Sequence, residues 1–189
     1  RKFSKSLGNG IDPLELIKKY GADALRMGLL SGTAIGNDVK FDENKVKGYK
    51  HFANKIWNIS RFVLENSEGV NFDKKVSFTK VDETLLERLN EIVAEVTSEY
   101  EDYRLHIAAE KMYQYIWTEI ADKIIEESKP ILNGTDEKIK LSRQHALYTI
   151  LTTSLRILHP CMPFVTEEIW SLLPTSKGSM LMVEQWPHA

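Results

Sequence analysis

Cysteine is almost absent: Cys161 is the only one in 189 residues. No intramolecular disulfide can form, and no cysteine-based metal site fits. The five histidines, His51, His106, His145, His159 and His188, show no metal-ligand spacing, so no metal site is expected. Long apolar runs are missing too. None approaches the roughly 20 residues of a membrane span, and the basic start turns polar at once, without the apolar stretch of a signal peptide. There is no internal repeat and no low-complexity tract. A single cysteine and no span agree with a reducing compartment, and a cytoplasmic location is the expectation.

Hydrophobic residues make up 42% and charged residues 28%, an ordinary soluble globular balance, and 189 residues suffice for one domain with a real core plus an appendage. The net charge of −2 hides an asymmetry. Residues 1–61 hold twelve Lys+Arg against six Asp+Glu, a local +6, while residues 62–189 hold thirteen against twenty-one, a local −8. A basic N-terminal third on an acidic body points to an anionic partner on one face, nucleic acid or ATP. Internal neutralisation of one half by the other is the plain alternative.

Asp12-Pro13-Leu14-Glu15 reads as an N-cap, a first-turn proline and a capping-box acid, and Gly21 closes that short helix. A second helix covers about Ala22 to Leu30. The stretch from Thr33 to Phe41 reads as a turn into a short strand. Residues 1–41 thus form a small mixed α/β connecting element that cannot bury a core alone. Asp42 then caps a long helix to about Asn66, with Val46, Tyr49, Ala53, Ile56, Ser60 and Val63 as its core stripe. Asp82 starts the next helix, with Leu85, Leu89, Ile92, Val96 and Tyr103 on one face. A third, from near Leu105 to Ser128, is broken by Pro130 and Asn133-Gly134. A fourth runs from about Asp136 to Leu158. Four long amphipathic helices predict a mainly α fold, an antiparallel helical bundle over residues 42–189. The run His159-Pro160-Cys161-Met162-Pro163-Phe164 is predicted to be irregular. A last helix begins near Thr166 and passes Ile169-Trp170 to Leu173, and Ser179 to Trp186 is expected to be an extended, irregular tail.

At the N-terminus, Lys2-Phe3-Ser4-Lys5-Ser6 precedes Gly8-Asn9-Gly10. Two lysines three apart among serines, next to a glycine turn, make a cationic loop suited to polyphosphate. A solvated basic tail is the alternative. The loop resembles the KMSKS signature of class I aminoacyl-tRNA synthetases, with Phe3 in the Met position. Leu7-Gly8-Asn9, Asp12-Pro13 and Tyr20-Gly21-Ala22-Asp23-Ala24-Leu25-Arg26 follow in that family's order. The resemblance implies that Lys5 contacts the ATP phosphates, supported by Lys2, with Ser4 and Ser6 as further ATP contacts. Charge develops on the leaving pyrophosphate, and a flexible ammonium can meet it more fully in the transition state than in the ground state.

A second block narrows the resemblance. Gly32-Thr33-Ala34-Ile35-Gly36-Asn37-Asp38-Val39-Lys40-Phe41 and Phe52-Ala53-Asn54-Lys55-Ile56-Trp57-Asn58-Ile59-Ser60-Arg61-Phe62-Val63 are similar to segments of valyl-tRNA synthetases. Isoleucyl and leucyl enzymes share the first loop and the His159-Pro160…Glu167-Glu168-Ile169-Trp170 ending. Cys161 stands where a bulkier apolar residue is commoner. The resemblance implies a C-terminal piece of an ATP-dependent ligase: the KMSKS loop and connecting element, then the helical anticodon-binding domain. No HIGH motif is present. The chain is therefore expected to lack the amino-acid pocket, to be inactive alone, and to bind neither ATP nor Mg2+ by itself. Its implied partners are the anticodon stem-loop of tRNA(Val) and the catalytic domain of the same polypeptide. A stand-alone tRNA-binding module, an isoleucyl- or leucyl-type synthetase fragment and a protein-interaction bundle are the alternatives.

Beside its core stripe, the first long helix carries Asn44, Lys47, His51, Lys55, Asn58 and Phe62 at three and four spacing. A cation, an amide and an aromatic ring within two turns suit splayed RNA bases. Lys55, Asn58 and Phe62, with Lys47 and Arg61, are the candidate tRNA contacts. The alternatives are that Phe62 packs on a neighbouring helix and Lys55 is solvated. Arg61 can meet phosphate or an acid one turn away. Trp57 and Trp117 are expected in helix interfaces, and Glu167-Glu168 beside a helix N-terminal dipole.

Overall fold

The computed structural model describes residues 10–32, 36, 41–176 and 178–188. Lys2, Ser4, Lys5 and Ser6 lie outside the described residues, as does most of the expected short strand, at 33–35 and 37–40. Among the described residues every regular element is helical.

The Asp12 carboxylate accepts the Leu14 amide at 2.8 Å and starts α1 (Pro13–Tyr20), with Pro13 at a position that needs no donor. Gly21, at φ 91°, closes α1 and lets α2 (Ala22–Leu30) begin at once. Leu16, Ala24 and Leu25 form a small apolar cluster that Val46 of α3 (Glu43–Glu65) completes. The first element therefore borrows its core from the bundle. The packing is tight at Gly28, where a Cβ would sit 2.8 Å from Val46 Cγ2. Gly28→Val is expected to push α2 off α3 and cost about 1–3 kcal/mol, which thermal melting followed by circular dichroism checks. An unchanged melting temperature would mean that α2 shifts freely.

Asp42 caps α3 through the Asn44 amide at 2.9 Å. Val46, Ile56, Ser60 and Val63 of the expected stripe are buried, and Tyr49 and Ala53 partly so. α4 (Lys80–Glu101) begins two residues earlier than Asp82: Thr79 is its N-cap, accepting the Asp82 amide and donating to the Asp82 carboxylate. Leu89, Ile92 and Val96 are buried as expected, but Tyr103 is not on the helix. It lies past the end at φ 58°, 77% exposed, where the chain turns in the left-handed region.

The third rod is continuous in three stretches, α5 (Leu105–Gln114), a π segment (Tyr115–Ile124) and α6 (Ile125–Leu132). Pro130 does not break it. Glu126 and Pro130 are both exposed, so the donor lost at Pro130 falls on the solvent face, and the rod stops only at Asn133. Across its core side run Ala108, Met112, Ile116, Ile120 and Ile124, all buried.

α7 (Glu137–Leu158), capped by Asp136, is the central element, packing against α3, α4, α5 and α6. The expected face, Ala146, Ile150, Leu151, Leu155 and Leu158, is buried. So are Ser142, Arg143, Gln144 and His145 on its other sides. Two of these polar residues share one network: Arg143 Nε donates to Asp82 Oδ1, Arg143 Nη1 donates to Ser128 Oγ at 3.0 Å, and the Ser142 hydroxyl donates to Asp82 Oδ2. This network ties α4, α6 and α7 at one level of the bundle.

α8 (Pro163–Ser171) starts at Pro163, three residues before the expected Thr166, because proline is well suited to a first helical position. Its cap comes from far away. The Asp23 carboxylate of α2 accepts the Phe164 and Val165 amides at 3.2 and 2.7 Å, and Arg26 donates to the carbonyls of Pro160 and Cys161. Burial pushes the Asp23 carboxyl above its ordinary pKa, and the two amides pull it back. Asp23, not Glu167 or Glu168, thus meets the α8 dipole. Glu167 instead accepts the amides of Leu181 and Met182 at 2.8 and 3.2 Å, pinning the tail. That tail is extended at Met180 and Glu184, but a single 3-10 turn, Leu181–Val183, interrupts it. Trp186 then reaches back to donate to Thr97 Oγ1 of α4 at 2.8 Å.

Candidate nucleic-acid interface

A groove of about 270 Å³ lies between α3 and the third rod. From α3 it is lined by Lys55, Asn58, Arg61 and Phe62, each a residue that the sequence marks as a candidate contact. Their spacing of three and four places them on one side of the helix, and the core stripe on the other side fixes which way that side faces. Lys47 is exposed but does not line the groove, and Asn44 and His51 are likewise exposed on the same helix.

Phe62 is half-buried: it leans on the main core and contributes to the groove wall at the same time. Lys55 is not simply solvated. Its ammonium pairs with Asp122 at 3.2 Å and sits 5.2 Å from the centre of the Trp117 ring. Trp117 in turn stacks at 5.7 Å on Tyr113, and Phe52, fully buried, backs both rings. An aromatic shelf therefore holds the cation at the groove's edge. Arg61 takes the acid one turn on, Glu65, at 3.6 Å, an exposed i, i+4 pair worth about 0.3–0.5 kcal/mol. Asn58 is exposed, leaving its amide to solvent or ligand. Trp117 lies in the helix interface as expected, whereas Trp57 is 39% exposed, because its position lies about 100° round the helix from Ile56, on the flank away from the groove.

The far wall was not legible in the sequence. Ala121, Ile125, Glu126 and Lys129 come from the π segment and α6, and Lys129 bonds both oxygens of Glu126 at 2.6–2.7 Å. Sequence spacing relates residues on one helix, but facing these four toward α3 needs the packing of the two rods. The result is a cleft with a ring on one wall, an amide in reach, three cations and the carboxylates that hold them. Such a lining can stack a planar base and hydrogen-bond its edge. Among the described residues no group of His, Cys, Asp or Glu is placed to hold a metal ion, and no helix is long and apolar enough to cross a membrane.

Residues 82–189, more than half of the chain, match the family model of the anticodon-binding domain of tRNA ligase. The chain belongs to this family. Residues 1–42 match a second model, tRNA synthetases class I (I, L, M and V). Among relatives of this anticodon-binding domain chain, valine–tRNA ligase of Clostridium perfringens is 47% identical over 190 residues, covering 99% of this chain and 22% of the relative. Valine–tRNA ligases of Clostridium tetani and Enterococcus faecalis are 45% and 47% identical, again over 22% of their length. The chain thus spans about a fifth of the curated relatives it matches. Two solved structures share the fold. The Agrobacterium radiobacter agnB2 LeuRS, in a ternary complex with tRNA and LeuAMS, superposes with a TM-score of 0.74 at 20% identity, over all of this chain and 22% of that one. Mycobacterium tuberculosis methionyl-tRNA synthetase, in complex with methionyl-adenylate, gives 0.72 at 23% identity, over 95% and 38%. The mainly helical bundle expected from periodicity is the architecture of these neighbours.

Proposed function

We propose that the chain is the anticodon-binding part of a valine–tRNA ligase, and that the groove beside α3 holds an unpaired base of the tRNA(Val) anticodon loop. The observation that carries this reading is the convergence of Lys55, Asn58, Arg61 and Phe62 on one cleft, within a chain similar along nearly its whole length to valine–tRNA ligases. Phe62 supplies the stacking face, Asn58 a donor and an acceptor for a base edge, and Lys55 and Arg61 charge for phosphate. Both cations are held only by partly exposed pairs, which RNA can replace at little cost. Lys47, farther along α3, would extend the contact. We place the boundary between connecting element and anticodon-binding domain at residues 41 and 42.

In the intact ligase, Lys5 with Lys2, Ser4 and Ser6 would contact ATP, which enters with Mg2+ as substrate. Lys5→Ala in that enzyme should lower the rate of valine activation with little change in valine affinity. Residues 1–189 alone should make no valyl-adenylate, and ATP–pyrophosphate exchange driven by valine would show otherwise.

The groove is tested by alanine substitutions and an anticodon stem-loop titrated at two salt concentrations. Phe62→Ala should weaken binding by about 1–3 kcal/mol with an unchanged salt slope. Lys55→Ala should weaken binding and flatten that slope. Asn58→Ala should lose discrimination between the valine anticodon and a single-base variant. Normal binding by all three would remove the groove from the RNA contact and leave a protein-interaction bundle.

A further inference from the structure

A second polar depression, of about 350 Å³, lies along a different face of the bundle, between α7, the loop after α3 and the C-terminal segment. His145, Thr149, Thr152 and Arg156 follow one another at four, three and four spacing on α7, so they line it as one row. The row's ends lie eleven steps apart, about 16 Å along the axis. Its volume falls within the range of small-molecule sites, roughly 300–1,000 Å³.

The two ends differ in chemistry. Arg26, Arg61, Arg88, Arg104 and Arg143 are each held by carboxylates or carbonyls. Arg156, among the described residues, makes no ion pair or hydrogen bond; it lies 5.1 Å from the centre of the buried Trp170 ring, and its Nε is buried without an acceptor. With Nε buried, the terminal guanidinium nitrogens are the donors that Arg156 can offer to a ligand in the depression. At the other end, His145 is 8% exposed and its ring has no hydrogen-bond partner among the described residues. It packs 5.1 Å from Phe72, which stacks at 3.7 Å on Tyr148. Between the ends, the Thr149 and Thr152 hydroxyls donate to the carbonyls of His145 and Thr149, leaving oxygen lone pairs as acceptors. Glu184 also lines the depression and leaves Arg156 unpaired.

We propose that this trough binds one nucleotide, with its phosphate at Arg156, its ribose hydroxyls along Thr152 and Thr149, and its base at the Phe72–His145 end. An arginine fork suits phosphate oxygens. Hydroxyl acceptors suit ribose donors. A neutral imidazole, with one donor and one acceptor, suits the edge of a base. A lone oxyanion would satisfy one end only, so an elongated ligand with charge at one end and a ring at the other is the match. The nucleotide can be free or one unit of a single strand.

The test uses the full chain and nuclear magnetic resonance of the His145 and Trp170 side chains, at fixed ionic strength. Adenosine 5′-monophosphate should shift both saturably, with adenosine and inorganic phosphate each at least about tenfold weaker. Arg156→Gln should weaken the nucleotide by about tenfold or more. Thr152→Glu, a change at the partly exposed rim that leaves the Trp170 packing intact, should do the same by repelling phosphate. Glu184→Gln should tighten binding. Phe62→Ala should leave it unchanged, which separates this trough from the groove beside α3. A five-residue oligoadenylate that binds more tightly than the mononucleotide assigns the site to a strand, and equal binding assigns it to a free nucleotide. No saturable shift at His145, equal binding of adenosine and the nucleotide, or midpoints that ignore both Arg156→Gln and Thr152→Glu would overturn the proposal.

Discussion

Arg143→Met is expected to lower the unfolding free energy by about 3–5 kcal/mol. Arg143 and Asp82 are 2% and 1% exposed, and their ion pair lies where α4, α6 and α7 meet. Removing the guanidinium leaves the Asp82 carboxylate buried with only the Ser142 and Thr79 hydroxyls, and it leaves Ser128 Oγ without the Nη1 donor. For a chain of this size each kcal/mol moves the melting temperature by about 2–4 °C. Replacing both partners separates desolvation from packing. Asp82→Leu with Arg143→Met should recover most of the loss, because an apolar pair of similar volume needs no counter-charge. Urea unfolding with an unchanged slope is the measurement. A loss below about 1 kcal/mol for Arg143→Met would mean that water reaches Asp82.

Phe52→Ala should follow closely, at about 3–5 kcal/mol. Phe52 has no exposed surface and lies 4.8 Å from the Tyr113 ring and 6.3 Å from Trp117. Its loss opens a cavity behind the aromatic shelf on which Lys55 rests. Two readouts should therefore move together. The melt should drop, and binding of the anticodon stem-loop should weaken although Phe52 touches no RNA. Phe52→Leu, which keeps most of the volume, should retain both in large part. A destabilised Phe52→Ala protein with unaltered binding would show that the position of Lys55 is set by Asp122 alone.

These two sites mark where sequence reading stops. The α3 stripe and its opposite face were legible because α3 is amphipathic, with one side buried and one side wet: Val46 and Ile56 inward, Asn58 and Arg61 outward. α7 gives no such contrast, since neighbours surround it, and a buried Arg143 looks like any surface arginine in a list of residues. Asp82 looks like a helix start for the same reason. Its carboxylate does take the Thr79 hydroxyl, but its burial depends on a partner 61 positions away. The Asp23–α8 cap joins residues 141 and 142 apart, so local spacing carries no trace of it. Within the groove, the α3 wall came from periodicity and the resemblance together. The opposite wall required knowing which side of the third rod faces α3.

That last point turns on the widened stretch at Tyr115–Ile124, between two ordinary α-helical parts of one rod. A wide turn amounts to extra chain accommodated without breaking the rod, so it works as a phase adjuster. In an α-helix each residue advances about 100° around the axis. Each residue of the wide stretch advances by less than that, so the length of the stretch sets the angle between α5 and α6 and with it the direction in which Glu126 and Lys129 face. The groove's second wall is in this sense written in the number of residues between 115 and 124, and insertions or deletions there should matter more than substitutions of its outward-facing side chains.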